Sequence, residues 1–368
     1  MRYTREDGCR AWLTYAQARP DILCNILETF GTAEKVYDQL MKDRGKCLRP
    51  YLPQAQIDLL KERAAPDAMH DMMVVMQREQ MGMMGMDDIH YPEAFRQMND
   101  PPAILFYQGD PDCLMGKCIS IIGTRKASPN TVEATRKIAR ELSNSGVTII
   151  SGLAVGIDSA AHQGCLAGSS PTAGLMACGL DVDYPIESGS LKKEIIKQGG
   201  VLLSEYPPGC PALSWHFQFR NRLIAALGKA VVMMEGRIRS GSMLTVQHAL
   251  DQGKDVYAYP GNIGSEWAEG AHQLLREGAL YFTSAQDILE DMHWESDAPA
   301  PTPKEKESLP PMNDKQRQIY ALLCRQEMSF DELAASTGFD APTLSGELTM
   351  LTILGYVKAL PGKTFQKA

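Results

Sequence analysis

The 368-residue sequence has no apolar run approaching the 18 or so residues that a membrane-spanning helix needs, so no span is expected. Its opening MRYTREDGCR carries charges with no apolar stretch behind them, and no signal peptide is expected. Cysteine is sparse: nine residues, an odd number, with no C-x-x-C and with Cys113 and Cys118 as the closest pair. That argues for reduced thiols in a cytoplasmic protein rather than for a disulfide scaffold or a zinc site. Seven histidines include no H-E-x-x-H and form no convincing metal cluster, and no G-x-S-x-G elbow occurs. The G-x-G-x-x-G dinucleotide fingerprint and the G-x-x-x-x-G-K-[ST] phosphate loop are also absent. Neither a cofactor nor a metal is expected, and ATP hydrolysis of the phosphate-loop type is excluded. With 44% apolar and 22% charged residues, the chain is neither disordered nor fibrous.

An excess of positive charge is lacking as well, since the net charge is −8. Its distribution is uneven. Residues 117–288 hold 16 Lys and Arg against 15 Asp and Glu, and the remainder holds 21 against 30. The acidity is therefore peripheral. Within the centre, residues 215–245 carry Arg220, Arg222, Lys229, Arg237 and Arg239 against Glu235 alone, and Trp215, Phe217 and Phe219 lead into the run. Two readings stand: a solvated basic helix, or rings and cations arranged for a single-stranded polyanion.

Four segments follow from patterning. Residues 1–65 read as short helices resembling a SAM or helix-hairpin-helix module, with Gly31 as a helix stop and Thr32 as the next cap. Residues 66–290 form the core. Its Met-rich start, with Met81, Met83, Met84 and Met86, reads as core lining. From 118 on, short apolar runs alternate with helices: CISII, VTIIS, PTAGLMAC, VLLSE, AVVMME and DVYAYP. That pattern predicts an α/β fold, a Rossmann-like parallel sheet of βαβ units with ligands outside the carboxyl ends of its strands. Residues 291–311 are a Pro-rich linker. Residues 312–368 have helix-turn-helix order with a wing, and residues 309–368 balance six cations against six anions. A neutral winged helix suits a protein partner better than DNA.

Three loops suit phosphate. Gly123-Thr124-Arg125-Lys126 follows the first strand, its glycine open to close approach and its arginine a fork of donors. Ser151-Gly152 to Gly156 follows the second strand and opens a helix, whose amides and dipole favour an anion. Ser240-Gly241-Ser242 precedes a third helix. Asp158 reads as a helix-start cap and His162 as packing beneath the loop. Glu205 and Glu235 read as arginine partners that fix loops.

The ordered series IIGTRKAS, SGLAVGIDSAAH, ACGLDVDYP, LLSEYPPG, FQFRNRLIAAL, MEGRIRSGSMLT and AYPG resembles the DprA (Smf) family, the DNA-processing proteins of bacterial natural transformation. The resemblance covers about residues 88–288, and the two ends are similar to accessory domains of that family. It implies a non-enzymatic protein that binds and protects single-stranded DNA, loads the RecA recombinase, and dimerises through its Rossmann-like domain. It also implies DNA contacts at Gly123, Thr124 and Arg125 and at Phe217, Arg220, Asn221 and Arg222, with Lys229 as a further cation. Thr124 stands where the family has Ser, and Gln218 where it has Pro. The competing class is a Rossmann-like enzyme acting on nucleoside phosphates. Its P-G-G-x-G-T loop has only Pro260-Gly261-Asn262-Ile263-Gly264 as a counterpart, without the paired glycine.

Overall fold

The apolar runs become strands of a nine-stranded sheet in a computed structural model, which describes residues 3–294, 312–324, 326–360 and 362–367. The strands are β1 (Gly82–Gly85), β2 (Ile104–Gly109), β3 (Lys117–Ile122), β4 (Val147–Ser151), β5 (Thr172–Leu175), β6 (Val201–Ser204), β7 (Ala230–Met233), β8 (Asp255–Ala258) and β9 (Leu280–Tyr281). Their spatial order is β1-β2-β6-β5-β4-β3-β7-β8-β9. All neighbours from β6 across to β9 pair in parallel. β2 pairs antiparallel with both β1 and β6. From β3 the chain winds outward through β4, β5 and β6, then returns to lay β7 on the other side of β3. The order therefore reverses between β3 and β7, where a doubly wound sheet opens a crevice beyond its carboxyl ends.

The side-chain period of two explains how both faces are covered. Ile119 and Ile121 of β3 pack with Ile138 and Leu142 of the helix Pro129–Asn144. Cys118 and Ile122 of the same strand pack with Leu223 and Ile224 of the helix Ser214–Leu227. Ser128 caps the first of these helices by accepting from the Thr131 amide, and Pro129 begins it.

Three strands of this sheet, β1, β2 and β9, were not foreseen. β1 is GMMG, which has neither the β-branched content nor the alternation of a strand, and it forms because its backbone pairs with the edge of β2. β9 is a two-residue edge. The Met-rich segment is divided accordingly: Met81 and Met84 are buried, whereas Met86 is exposed.

Five helices precede the sheet: Arg5–Thr14, Pro20–Phe30, Ala33–Asp43, Gln54–Arg63 and Pro66–Arg78. Gly31 ends the second at φ 84°, and the Thr32 side chain accepts from the Lys35 amide to start the third. Trp12, Leu13, Ile26, Leu40, Ile57 and Leu60 form their own core, and the Trp12 indole donates to the Leu60 carbonyl at 2.8 Å. The helices belong to one compact unit with the sheet, residues 1–295; Tyr15, for instance, donates to the Pro208 carbonyl at 2.9 Å.

The described residues from 312 on form a second unit. The expected linker falls almost entirely on residues 295–311, outside the described residues. The remainder has the helices Asp314–Leu323, Phe330–Thr337 and Ala341–Ile353 and a three-stranded sheet of β10 (Met328–Ser329), β11 (Val357–Leu360) and β12 (Thr364–Lys367). Gly338, in the left-handed region, makes the turn between the second and third helices, and β11 and β12 form the wing.

Candidate nucleic-acid interface

The loops after β3, β4 and β7 meet where the strand order reverses. Their backbones are tied together first. The Thr124 amide donates to the Glu235 carbonyl at 2.7 Å, and the Ile157 amide donates to the Thr124 carbonyl at 3.2 Å. The Thr124 hydroxyl accepts from the Lys126 amide at 3.1 Å. Ser151 donates its hydroxyl to the Ile121 carbonyl at 2.7 Å. Gly156 has φ 87°, and a Cβ there would lie 2.5 Å from the Thr124 carbonyl oxygen, so the position requires glycine on both counts. Gly123 is crowded too, with Ile157 and the Glu235 carbonyl within 3 Å of where a Cβ would stand. Its smallness serves the meeting of the loops rather than the approach of a ligand.

The basic run divides into buried and exposed parts. Arg220 and Arg222, expected as DNA contacts, point inward and are 4% and 2% exposed. Arg220 Nη1 donates to the Gly152 carbonyl at 3.0 Å and also to the Leu175 carbonyl, joining the carboxyl ends of β4 and β5. Burial pushes its pKa down to about 10, so it stays charged at neutral pH. Arg222 Nη2 donates to Glu205 Oε1 at 2.7 Å, and its Nε lies 3.0 Å from Asp100 Oδ2. Glu205 is thus the arginine partner expected of it. Glu235 is not; it accepts from the Ser128 amide at 2.8 Å and fixes the loop through backbone instead. The sequence shows that a helix is basic, but only packing shows which cations face inward.

Lys229 is a second correction. It is exposed, but its amide donates to the Cys118 carbonyl at 2.8 Å, four strand residues before the end of β3. At about 3.3 Å per residue it lies about 13 Å back along the sheet, toward the amino ends of the strands. The structure does not bring it to Arg125.

Exposed cations remain at the loop after β3, where both Arg125 and Lys126 face solvent. The Arg125 guanidinium lies 5.3 Å from the centre of the half-buried Phe217 ring, and Tyr184 lies 5.3 Å from Phe217 on centroids. These groups and Gly152, Ala154 and Ile186 line a cavity of 380 Å³ at the carboxyl ends of β4 and β5. Asp183 and Glu187 also line it. Tyr184 was missed; the signal was an exposed aromatic in the DYP turn of a loop that follows a strand. Ser240-Gly241-Ser242 opens the helix Gly241–Asp251, and Asn221 tethers it by donating to the Gly241 carbonyl at 3.1 Å.

Asp158 and His162 carry no exposed chemistry. Asp158 Oδ2 accepts from the Ala154 amide at 3.4 Å, so a carboxylate already lies against the loop amides expected to hold an anion. Burial raises its pKa to about 6 against the pull of Arg220. His162 is fully buried, its Nδ1 is 2.8 Å from the Thr172 hydroxyl, and burial lowers its pKa to about 3. Among the described residues no group of three His, Cys, Asp or Glu could hold a metal. No helix among them is long and apolar enough to cross a membrane.

Comparison with known proteins fits this arrangement. The family model described as DNA recombination-mediator protein A matches residues 82–293, and the DprA winged helix domain matches residues 298–363. The chain is 33% identical to Protein Smf of Escherichia coli over 283 residues, 75% of each chain. It is 38% identical to the DNA processing protein DprA of Streptococcus pneumoniae over 204 residues, 55% of this chain and 72% of that one. The X-ray structure of the pneumococcal DprA superposes with a TM-score of 0.64 at 30% identity, covering 79% of this chain and 99% of that one. The Helicobacter pylori DprA structure, which concerns a single-stranded DNA binding mode, gives a TM-score of 0.53 at 31% identity over 58% of this chain and 96% of that one. A Rossmann-like sheet followed by a winged helix, matched in this way, defines the class as DNA recombination mediators. The chain belongs to the DprA/Smf family of DNA-processing proteins.

The buried histidine sets an acid limit on stability. An unfolded imidazole takes its proton near pH 6.5, whereas His162 in the fold takes one only near pH 3. The unfolded state therefore binds more protons over that window, and stability falls as pH drops through it. Asp158 opposes the trend, because its folded carboxyl is protonated first, between about pH 6 and 3.8. The larger displacement belongs to His162. Replacing His162→Gln flattens the fall of the melting temperature between pH 6.5 and 4, which thermal unfolding at several pH values checks.

Proposed function

We propose that this protein binds single-stranded DNA across the Arg125–Phe217–Tyr184 cavity in the cytoplasm, protects the incoming strand, and loads RecA recombinase onto it as a homodimer. The observation that carries the reading is the exposed Arg125 guanidinium set over Phe217, with Tyr184 beside it. A cation supplies the phosphate contact, and two rings supply faces on which any base can stack. Lys126, Gly152 and the loop Ser240-Gly241-Ser242 lie along the same crest and extend the path for the backbone. Arg220, Asn221 and Arg222 act from behind it, by holding the loops. The peripheral acidity keeps a polyanion confined to this central region. Nothing in the mechanism requires a catalytic group.

Fluorescence anisotropy with a labelled poly-dT strand, a duplex competitor and two salt concentrations tests the reading. Arg125→Ala lowers affinity about tenfold for every sequence, as expected for loss of one charge-assisted contact to phosphate. It also flattens the salt slope by about 0.7. Lys229→Ala leaves both unchanged. Equal affinity in wild type and Arg125→Ala would remove the cavity from the interface.

The winged helix is neutral, and truncation after Pro310 leaves strand affinity and salt slope intact. Loss of most of the affinity would give that unit a direct role in binding DNA.

The dimer reading rests on the free edge of β9, where Leu280 and Tyr281 are exposed. An unprotected apolar edge strand suits pairing with a second copy. Tyr281→Lys shifts the sedimentation coefficient from dimer to monomer. An unchanged coefficient would put the interface elsewhere.

A further inference from the structure

Two cations of the central basic run have no task in the reading above. Arg237 and Arg239 are both exposed, on the loop between β7 and the helix Gly241–Asp251. The Arg237 guanidinium carbon stands 4.1 Å from the centre of the half-buried Trp267 ring, which belongs to the loop after β8. At that distance the cation rests against the ring. Its Nη2 also donates to Glu266, and both members of that pair are about half exposed, at 47% and 57%. An ion pair so open to water holds its cation only weakly. Arg239 makes no ion pair among the described residues.

The backbone beneath these side chains is fixed. The Gly236 amide donates to the Trp267 carbonyl at 2.5 Å, and the Gly270 amide donates to the Gly236 carbonyl at 2.9 Å. A Cβ at Gly270 would lie 2.5 Å from that Gly236 oxygen, so only glycine permits the approach. The loops after β7 and β8 are thereby joined, and Arg237 meets Trp267 on a common support. They also stand level with the loop that carries Arg125. Ile122 of β3 pairs with Met233 of β7, and Met233 pairs with Ala258 of β8. The three strands end in register, about 4.8 Å apart. Arg125 and Lys126, then Arg237 and Arg239, then Trp267 therefore follow one another from loops along a single edge of the sheet.

We propose that Arg237 and Arg239, with Trp267 as the platform under Arg237, form a second station for single-stranded DNA, engaged only by strands long enough to run from the Arg125 cavity across the ends of β7 and β8. The proposal rests on the single-strand reading above and adds to it the course of the strand over the sheet. A guanidinium backed by a ring keeps its in-plane N–H groups for phosphate. The same pairing of exposed arginine and ring occurs at the first cavity, where Arg125 stands 5.3 Å from Phe217. A motif presented twice along one edge suits a polymer that repeats phosphate and base. Ile238 and Ile263, 45% and 97% exposed on the same two loops, would also suit a second copy of the chain. A symmetric contact of that kind would bring the unpaired Arg239 of both copies into one interface, where like charges repel.

Strand length separates the two stations. The full-length protein is titrated with labelled oligo-dT of about 4 to about 16 nucleotides, the span of site sizes that single-strand binders use, at two salt concentrations. The double variant Arg237→Ala/Arg239→Ala binds the shortest strand as the wild type does and loses about tenfold in affinity for the longest. Its salt slope on the longest strand flattens by about 0.7 for each lost phosphate contact. Trp267→Leu loses affinity in the same length-dependent way, and Trp267→Phe restores it, because a ring again backs Arg237. Glu266→Gln removes the anion that competes with phosphate and raises affinity for the longest strand alone. Wild-type binding by the double variant at every length overturns the second station. So does an equal loss at every length, and so does a changed sedimentation coefficient with unchanged strand affinity, which would assign the patch to a second copy. Binding that depends on Arg125 at all lengths while Arg237 and Arg239 are silent rejects the second station and leaves the single-strand reading standing; indifference to Arg125 as well removes both.

Discussion

One buried guanidinium holds the functional end of the sheet. Arg220 reaches from the helix Ser214–Leu227 to the carbonyls of Gly152 and Leu175, the points at which β4 and β5 pass into loops. A charge is costly inside a protein unless its hydrogen bonds are met. Here two carbonyl dipoles and the nearby Asp158 offset part of that cost, Nε having no partner among the described residues, and the geometry they impose is strict. Gly152 has no room for a side chain, because a Cβ would lie 2.8 Å from both the Arg220 guanidinium and the Asp158 carboxylate. The loop after β4 is thus set from beneath, and its Gly156 in turn sits under the Thr124 carbonyl. Arg125 is presented on a loop that has little freedom of its own.

This division of labour explains a sequence that is basic only in one place. Arg222 repeats the pattern beside Arg220, with Glu205 and Asp100 as its partners. Two of the five cations between residues 215 and 245 are therefore spent inside the protein. Those that reach solvent near the strand reversal do so from loops, where a sheet of this kind receives its ligands. A surface with few but well-placed cations gains less non-specific affinity than a broadly basic one, and it leaves more of the discrimination to rings and shape.

Much of the fold was legible because its signals are local. The six runs from CISII to DVYAYP coincide with β3 to β8, since short apolar stretches between helices have few other ways to be buried. β1 and β2 were not legible. Their pairing depends on a partner distant in sequence, and GMMG carries no strand character of its own. The site was legible by loop and not by direction. Gly123 to Lys126, Ser151 to Gly156 and Ser240 to Ser242 do converge, whereas Arg220, Arg222 and Lys229 were grouped with them by charge and by the family resemblance. Charge is read from composition, but the face a side chain takes depends on what packs around its helix. Tyr184 was overlooked for the opposite reason: it is neutral, and only its approach to Phe217 draws attention to it.

The helix Ser214–Leu227 accordingly has three faces with three tasks. Its inward face carries Leu223 and Ile224 into the core and Arg220 to the strand ends. Phe217 looks toward the exposed arginine, and Trp215 and Phe219 look toward the N-terminal helices. The N-terminal helices close a cleft there with Arg19 and Leu23, and they pack within one compact unit with the sheet.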